Sequence, residues 1–207
     1  MMRANEGNAV CISGIVWEDA RLDHELYGEV FYSLFLQVER LSGVTDTLPV
    51  TLPARLCGRI PLAGERIRIY GQLRSYNKHT NGASRLVITV FAKSVEPMGP
   101  EETPENSVQL IGYLCKPAVY RTTPFLREIG DMLLAVNRSY HKSDYLPCIA
   151  WGRNALYVKD LPVGCRVRVE GRLQSRVYQK VLPDETMIER TAYEVSCASV
   201  ELVDSPE

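Results

Sequence analysis

Arg166-Val167-Arg168-Val169-Glu170-Gly171-Arg172-Leu173-Gln174-Ser175-Arg176 alternates polar and apolar residues. A period of two is the mark of a half-buried β-strand. It puts Arg166, Arg168, Glu170, Arg172, Gln174, Arg176 and then Tyr178 on the outer face. One hundred positions earlier, Arg66-Ile67-Arg68-Ile69-Tyr70-Gly71-Gln72-Leu73-Arg74 repeats the pattern. The central glycines, Gly71 and Gly171, suit a strand that bends sharply or coils around a barrel.

Working outward, the rest of the chain is duplicated as well. Asn8-Ala9-Val10-Cys11-Ile12-Ser13-Gly14 returns as Asn106-Ser107-Val108-Gln109-Leu110-Ile111-Gly112. Val38-Glu39-Arg40 returns as Val136-Asn137-Arg138, and Leu48-Pro49-Val50 as Leu146-Pro147-Cys148, each 98 positions on. Gly64, Gly71, Leu73 and Ser75 match Gly164, Gly171, Leu173 and Ser175 at an offset of 100. A near-constant offset across independent landmarks means two copies of one fold. The copies meet at Pro97-Met98-Gly99-Pro100-Glu101-Glu102-Thr103-Pro104-Glu105, whose prolines and acids make a linker. The expected division is residues 1–97, a linker over 98–105, and residues 106–207. Short helices are expected near Ala54–Ile60 and Arg153–Leu161, each between the third and fourth strands of its copy. Five strands with one short helix in that place describe an OB-fold, a five-stranded Greek-key barrel. The predicted class is all-β, two tandem OB-folds in one chain.

The 207 residues fit two small domains. No stretch approaches the ~20 apolar residues that span a bilayer, and no basic segment followed by an apolar core opens the chain. A cytoplasmic protein with no membrane contact is expected. The cysteines Cys11, Cys57, Cys115, Cys148, Cys165 and Cys197 are scattered without a CxxC pair, so they read as core residues rather than as metal ligands or a disulfide framework. Neither a metal nor a cofactor is expected. The formal net charge is −1, but residues 106–182 hold twelve Lys and Arg against five Asp and Glu. A locally basic face on a neutral protein is enough to attract phosphates. His24, His79 and His141 fall in expected loops without ligand spacing, and neither a phosphate-cradling glycine loop nor a nucleophile–base arrangement is present. An enzyme is not expected.

Asp144-Tyr145-Leu146-Pro147-Cys148-Ile149-Ala150-Trp151-Gly152-Arg153 carries the functional signal. As a strand it turns Leu146, Cys148 and Ala150 into the barrel and Tyr145, Pro147, Ile149 and Trp151 outward. An outward Trp is costly unless something covers it; for a lone Trp that is a subunit contact or a loop. Trp151 is not alone, because Arg138 and Tyr140 end the preceding strand and the Arg166–Arg176 stripe stands nearby. Aromatic platforms interleaved with cations suit single-stranded nucleic acid, whose bases stack on rings while arginines follow the phosphates.

These segments resemble a family. Asn106-x-Val108-x-Leu110-Ile111-Gly112, Leu134-Ala135-Val136-Asn137-Arg138, Trp151-Gly152-Arg153-Asn154-Ala155 and Val167-x-Val169-Glu170-Gly171-Arg172-Leu173-Gln174-Ser175-Arg176-x-Tyr178 are similar to the bacterial single-stranded-DNA-binding proteins. The resemblance implies base stacking at Tyr140, Tyr145, Trp151 and Tyr178 and a phosphate contact at Arg153. Arg138, Lys142, Arg172 and Arg176 complete the expected path. It also implies an assembly of four OB domains, which two domains per chain supply as a homodimer.

The first copy departs from that pattern. Ser42, Thr47 and Pro53 stand where the second has Tyr140, Tyr145 and Trp151. It keeps a reduced stripe of Arg66, Arg68, Tyr70, Arg74 and Tyr76, read either as a secondary DNA groove or as solvated charge on a structural domain. The resemblance also implies an acidic, aromatic-tipped tail that recruits enzymes, and from Glu201-Leu202-Val203-Asp204-Ser205-Pro206-Glu207 no such recruitment tip is expected. The expected function is stoichiometric cover of single-stranded DNA, mainly by the second domain. Two rivals remain open: a primosome-like or mobile-element accessory protein, and an OB scaffold that has lost DNA.

Overall fold

The computed structural model describes residues 7–80, 83–181 and 185–204. The first half is built from β1 (Asn8–Val16), β2 (Arg21–Leu26), β3 (Glu29–Glu39), β4 (Thr45–Pro53), β5 (Arg66–Thr80) and β6 (Ala83–Pro97). The second repeats it as β7 (Asn106–Leu114), β8 (Val119–Thr122), β9 (Glu128–Arg138), β10 (Lys142–Trp151), β11 (Arg166–Val181) and β12 (Met187–Leu202), with helix α1 (Arg153–Lys159) after β10. In the first barrel β1 pairs with β3 and β5, β3 with β4, β5 with β6, and β4 with β6 in parallel. The second closes identically, β10 meeting β12 in parallel at Cys148↔Val195 and Ile149↔Ser196. These are the five barrel strands of an OB-fold, twice. The sixth strand of each half, β2 or β8, is an exposed edge added to β3 or β9.

Alternating apolar residues fill both barrels, with Ile12, Leu36, Leu48, Leu52, Ile69 and Leu73 fully buried in the first and Leu110, Leu134, Leu146 and Leu173 in the second. Gly71 and Gly171 fall where the sequence placed a bend. Each sits at a bulge against the following strand. A Cβ there would lie 2.2 Å from the Phe91 carbonyl and 2.1 Å from the Ser196 carbonyl. Cys11, Cys148 and Cys197 are buried and the other three cysteines half-buried, as core residues should be.

Two expectations need correction. The helix foreseen over 54–60 is only a three-residue 3-10 turn, Ala54–Leu56. Gly58 and Pro61 explain it, since glycine weakens a helix and the residue before proline avoids helical geometry. Residues 153–161 contain neither glycine nor proline, and α1 buries Ala155 and Val158 against β9. His24 and His79 lie on strands β2 and β5 rather than in loops. No helix among the described residues is long and apolar enough to cross a membrane.

The halves are joined about a local two-fold axis. β1 and β7 pair antiparallel with Val10 opposite Val108, the same position in each repeat, so one 12-stranded sheet runs through both barrels. Each half also grips the other through a buried carboxylate. Asp46 Oδ1 accepts the Ser175 N–H at 2.7 Å and the Ser175 hydroxyl at 2.8 Å. Asp144 Oδ1 accepts the Ser75 N–H at 2.8 Å. Arg40 bonds Asp46 at 2.6 and 2.7 Å and reaches the Ser175 carbonyl at 2.9 Å. Arg74 bonds Asp144 at 3.1 Å. Asp46 and Asp144, and Ser175 and Ser75, stand at the same repeat positions, the self-complementary pattern of a two-fold contact inside one chain. The arginines differ, since the counterpart of Arg40 is Arg138, 3.6 Å from Asp144, and Arg74 has Gln174 in its place.

Candidate nucleic-acid interface

Strand register decides which side chains share a face. Ile149 of β10 lies beside Ser196 of β12, and Ser196 opposite Arg172 of β11. Continuing along β11 and β12, Gln174 opposes Glu194, Arg176 opposes Ala192, and Tyr178 opposes Arg190. Residues two apart point the same way. One face of β10, β12 and β11 therefore gathers Tyr145, Trp151, Arg172, Arg176 and Tyr178.

The aromatic residues are open on that face. Tyr145 is 49%, Trp151 36% and Tyr178 38% exposed. The Trp151 indole N–H donates to Ser196 Oγ at 3.1 Å, which fixes the ring while leaving one side free. The Arg176 guanidinium sits 5.7 Å from the Tyr178 ring centre, a cation–π distance. Tyr140 stands at the tip of the β9–β10 hairpin, 90% exposed. Its φ is +63° and that of His141 +55°, conformations a bulky residue adopts at a cost.

The floor differs from the sequence reading. Ile149 was expected on the open outer face but is buried, flanked in the sheet by Ser196 of β12 and Asp131 of β9. Gln174 is likewise buried, donating to Glu194 at 2.9 Å. A carboxylate on this face would repel phosphates, but the Glu194 charge is opposed by the Arg176 guanidinium at 3.6 Å and its Oε1 accepts the Gln174 amide N–H. Asp131, beside Ile149, is held by Arg121 at 2.8 Å. Residue reading missed Ser196, Glu194 and Arg121 as parts of this face, since their relation to Trp151 exists only through register between distant strands.

The five cations differ in freedom. Lys142, Arg153 and Arg172 have no acidic partner among the described residues. Arg138 lies 3.6 Å from Asp144 and Arg176 shares Glu194, so each keeps only part of its charge for a ligand. Arg153 opens α1 just after Gly152, whose φ of +54° turns the chain off the end of β10.

In the first domain the stripe has other partners. Arg66 donates to the Pro100 carbonyl at 2.6 Å, and Arg68 to Glu102 at 3.0 Å, so both hold the linker. Arg74 is spent on Asp144. Tyr70 is half-buried, its phenol pKa pushed up by burial, while Tyr76 is 52% exposed. At the place of Trp151, Pro53 is buried opposite Phe31. Phe91, at the place of Ser196, packs on Phe31 at 6.0 Å, and His24 stacks on Phe31 at 4.7 Å. Aromatic rings fill this groove from within.

Comparison with known proteins agrees with this asymmetry. Residues 105–203, just under half of the chain, match the model of the single-strand binding protein family. A Staphylococcus aureus relative, single-stranded DNA-binding protein 1, is 34% identical over 106 residues, covering 48% of this chain and 61% of the relative. Single-stranded DNA-binding protein 3 of Streptococcus agalactiae is 30% identical over 81 residues, covering 36% of this chain and 59% of its own. The chain thus spans less than two thirds of these relatives' length. Among solved structures, the wild-type single-stranded DNA binding protein from Thermus aquaticus superposes with a TM-score of 0.72. That match has 21% identity and covers 97% of this chain and 94% of the other, which shows the tandem fold. The resemblance read from the sequence is borne out, and its sequence signal lies in the second domain.

Proposed function

We propose that this chain, whose second domain carries the single-strand binding protein family match, binds single-stranded DNA and covers it stoichiometrically, making and breaking no bond. The observation that carries the proposal is the single face holding Tyr145, Trp151, Tyr178, Arg172 and Arg176, with Tyr140, Lys142, Arg153 and Arg138 at its margins. Bases stack on the rings and phosphates follow the guanidinium and ammonium groups. The linker's hold on Arg66 and Arg68 supports a structural role for the first domain rather than a second groove. Acting in the cytoplasm as a homodimer, the protein would present four OB domains.

The test is a titration of intrinsic fluorescence with oligo(dT) at two salt concentrations. Because Trp17 is also exposed, wild type is compared with Trp151→Phe. The expected result is quenching that comes mostly from Trp151 and an affinity that falls as salt rises. Saturating oligo(dT) with no quenching and no salt-dependent binding would refute the proposal.

A further inference from the structure

The clasp that Ser75 and Arg74 of the first domain make with Asp144 reaches the groove of the second domain at Tyr145. Beyond the short β10–β12 pairing at Cys148 and Ile149, the β10 backbone at Asp144 and Tyr145 is met by β5 of the first domain. There the Tyr145 N–H donates to Ser75 Oγ at 2.7 Å, while Asp144 is bound by Ser75 and Arg74 and lies 3.6 Å from Arg138. On the other side of the two-fold, Arg40 and Asp46 hold the Ser175 backbone, immediately before Arg176. The two clasps are equivalent in position but not in consequence. Residue Thr47, after Asp46, has no ring to orient; Tyr145, after Asp144, does.

We propose that Ser75 of the first domain is a positioning residue for the second domain's DNA groove, setting the backbone that aims the Tyr145 ring. The proposal rests on the DNA-binding reading of that groove. It gives the domain without stacking residues at the matching places a direct part in binding: its β5 strand completes the edge of β10. Its hydroxyl accepts the Tyr145 N–H, adding a hold from the first domain to the ladder that already pairs Tyr145 with Ala135 of β9. Arg74 acts beside it, sharing with Arg138 the carboxylate next to Tyr145.

The test is a double-mutant cycle in the full chain, reading oligo(dT) affinity by titration and folding by thermal melting. Ser75→Ala should weaken binding about 2- to 10-fold, the effect of one lost hydrogen bond. In a Tyr145→Ala background it should have almost no effect, whereas combined with Trp151→Ala the losses should multiply. A role limited to holding the domains together would give the same loss in all three backgrounds, and that result, or no loss in any, would overturn the proposal. Failure of the wild-type chain to bind oligo(dT) would instead remove the DNA-binding reading on which it stands. Should S75A not fold, S75C, of similar size but with a weaker acceptor, goes through the same cycle.

Discussion

With its indole N–H on Ser196 and 36% of its surface open, Trp151 is oriented by one hydrogen bond rather than by packing on all sides. That arrangement suits a ring that must offer a face to a base and keep its angle when none is there. Trp151→Ala should therefore weaken oligo(dT) binding by about 1–3 kcal/mol, the range for one base–aromatic stack. Its melting temperature should stay close to that of the wild type. A large fall in melting temperature with affinity unchanged would make Trp151 a packing residue. The neighbouring positions show how far side-chain alternation can be trusted. Leu146, Cys148 and Ala150 point inward as the period of two requires. Ile149 obeys the same alternation yet is buried, because exposure also depends on neighbours that alternation does not name, here Ser196 of β12 and Asp131 of β9.

At the scale of elements, β11 and β12 form a paired arm running from Val167↔Leu202 to Val181↔Met187, with Arg172, Arg176 and Tyr178 along one side. The polar/apolar rhythm of β11 was plain in the sequence and predicted the strand and its basic face. Gln174 follows the same rhythm yet is buried, because its partner Glu194 comes from another strand. Among the described residues Arg172 makes no ion pair, whereas Arg176 lies 3.6 Å from Glu194. Log K should fall with log [salt] at about 0.7 per phosphate neutralised. Arg172→Gln should reduce that slope by roughly one contact, and Arg176→Gln by less. Equal slopes in wild type and R172Q would place Arg172 off the DNA path.

The clasp strands β4 and β10 contribute in a different way. Burial alone would raise the Asp46 pKa, but the Arg40 bonds and the two from Ser175 outweigh it and hold the carboxyl below its usual value. A lowered folded pKa means that the stabilisation is fully present above the unfolded value, about 3.9, and is lost as pH falls through the folded one. Acid unfolding followed by tryptophan fluorescence should thus begin below about pH 4, and Asp46→Asn should flatten the pH dependence there. An unchanged acid profile in D46N would show that the clasp is not coupled to folding. Nothing local in the sequence announced it. Asp46 and Ser175 are 129 residues apart, and Asp144 and Ser75 are 69 apart. Only the repeat offset, applied after the contacts are known, shows that the two are one device used twice.

For the whole molecule, duplication was the most legible property, since landmarks spaced 98 and 100 apart carry over to matching strands and matching bulges. What could not be read was how the halves meet, because β1–β7 pairing depends on backbone edges that carry no side-chain signature. The internal two-fold gives one chain the form of a dimer of domains, and a further two-fold between chains would bring the count to four. Light scattering at micromolar concentration should return about twice 23.3 kDa, and a value of 23.3 kDa would rule out the homodimer. The division of labour between the domains is the central claim, and photo-crosslinking to 5-iodouracil-substituted oligo(dT), with the attached residues mapped by mass spectrometry, tests it most directly. The account predicts attachment at Trp151, Tyr145, Tyr140 and Tyr178. Attachment concentrated at Tyr70, Tyr76 or Trp17 of the first domain would contradict it.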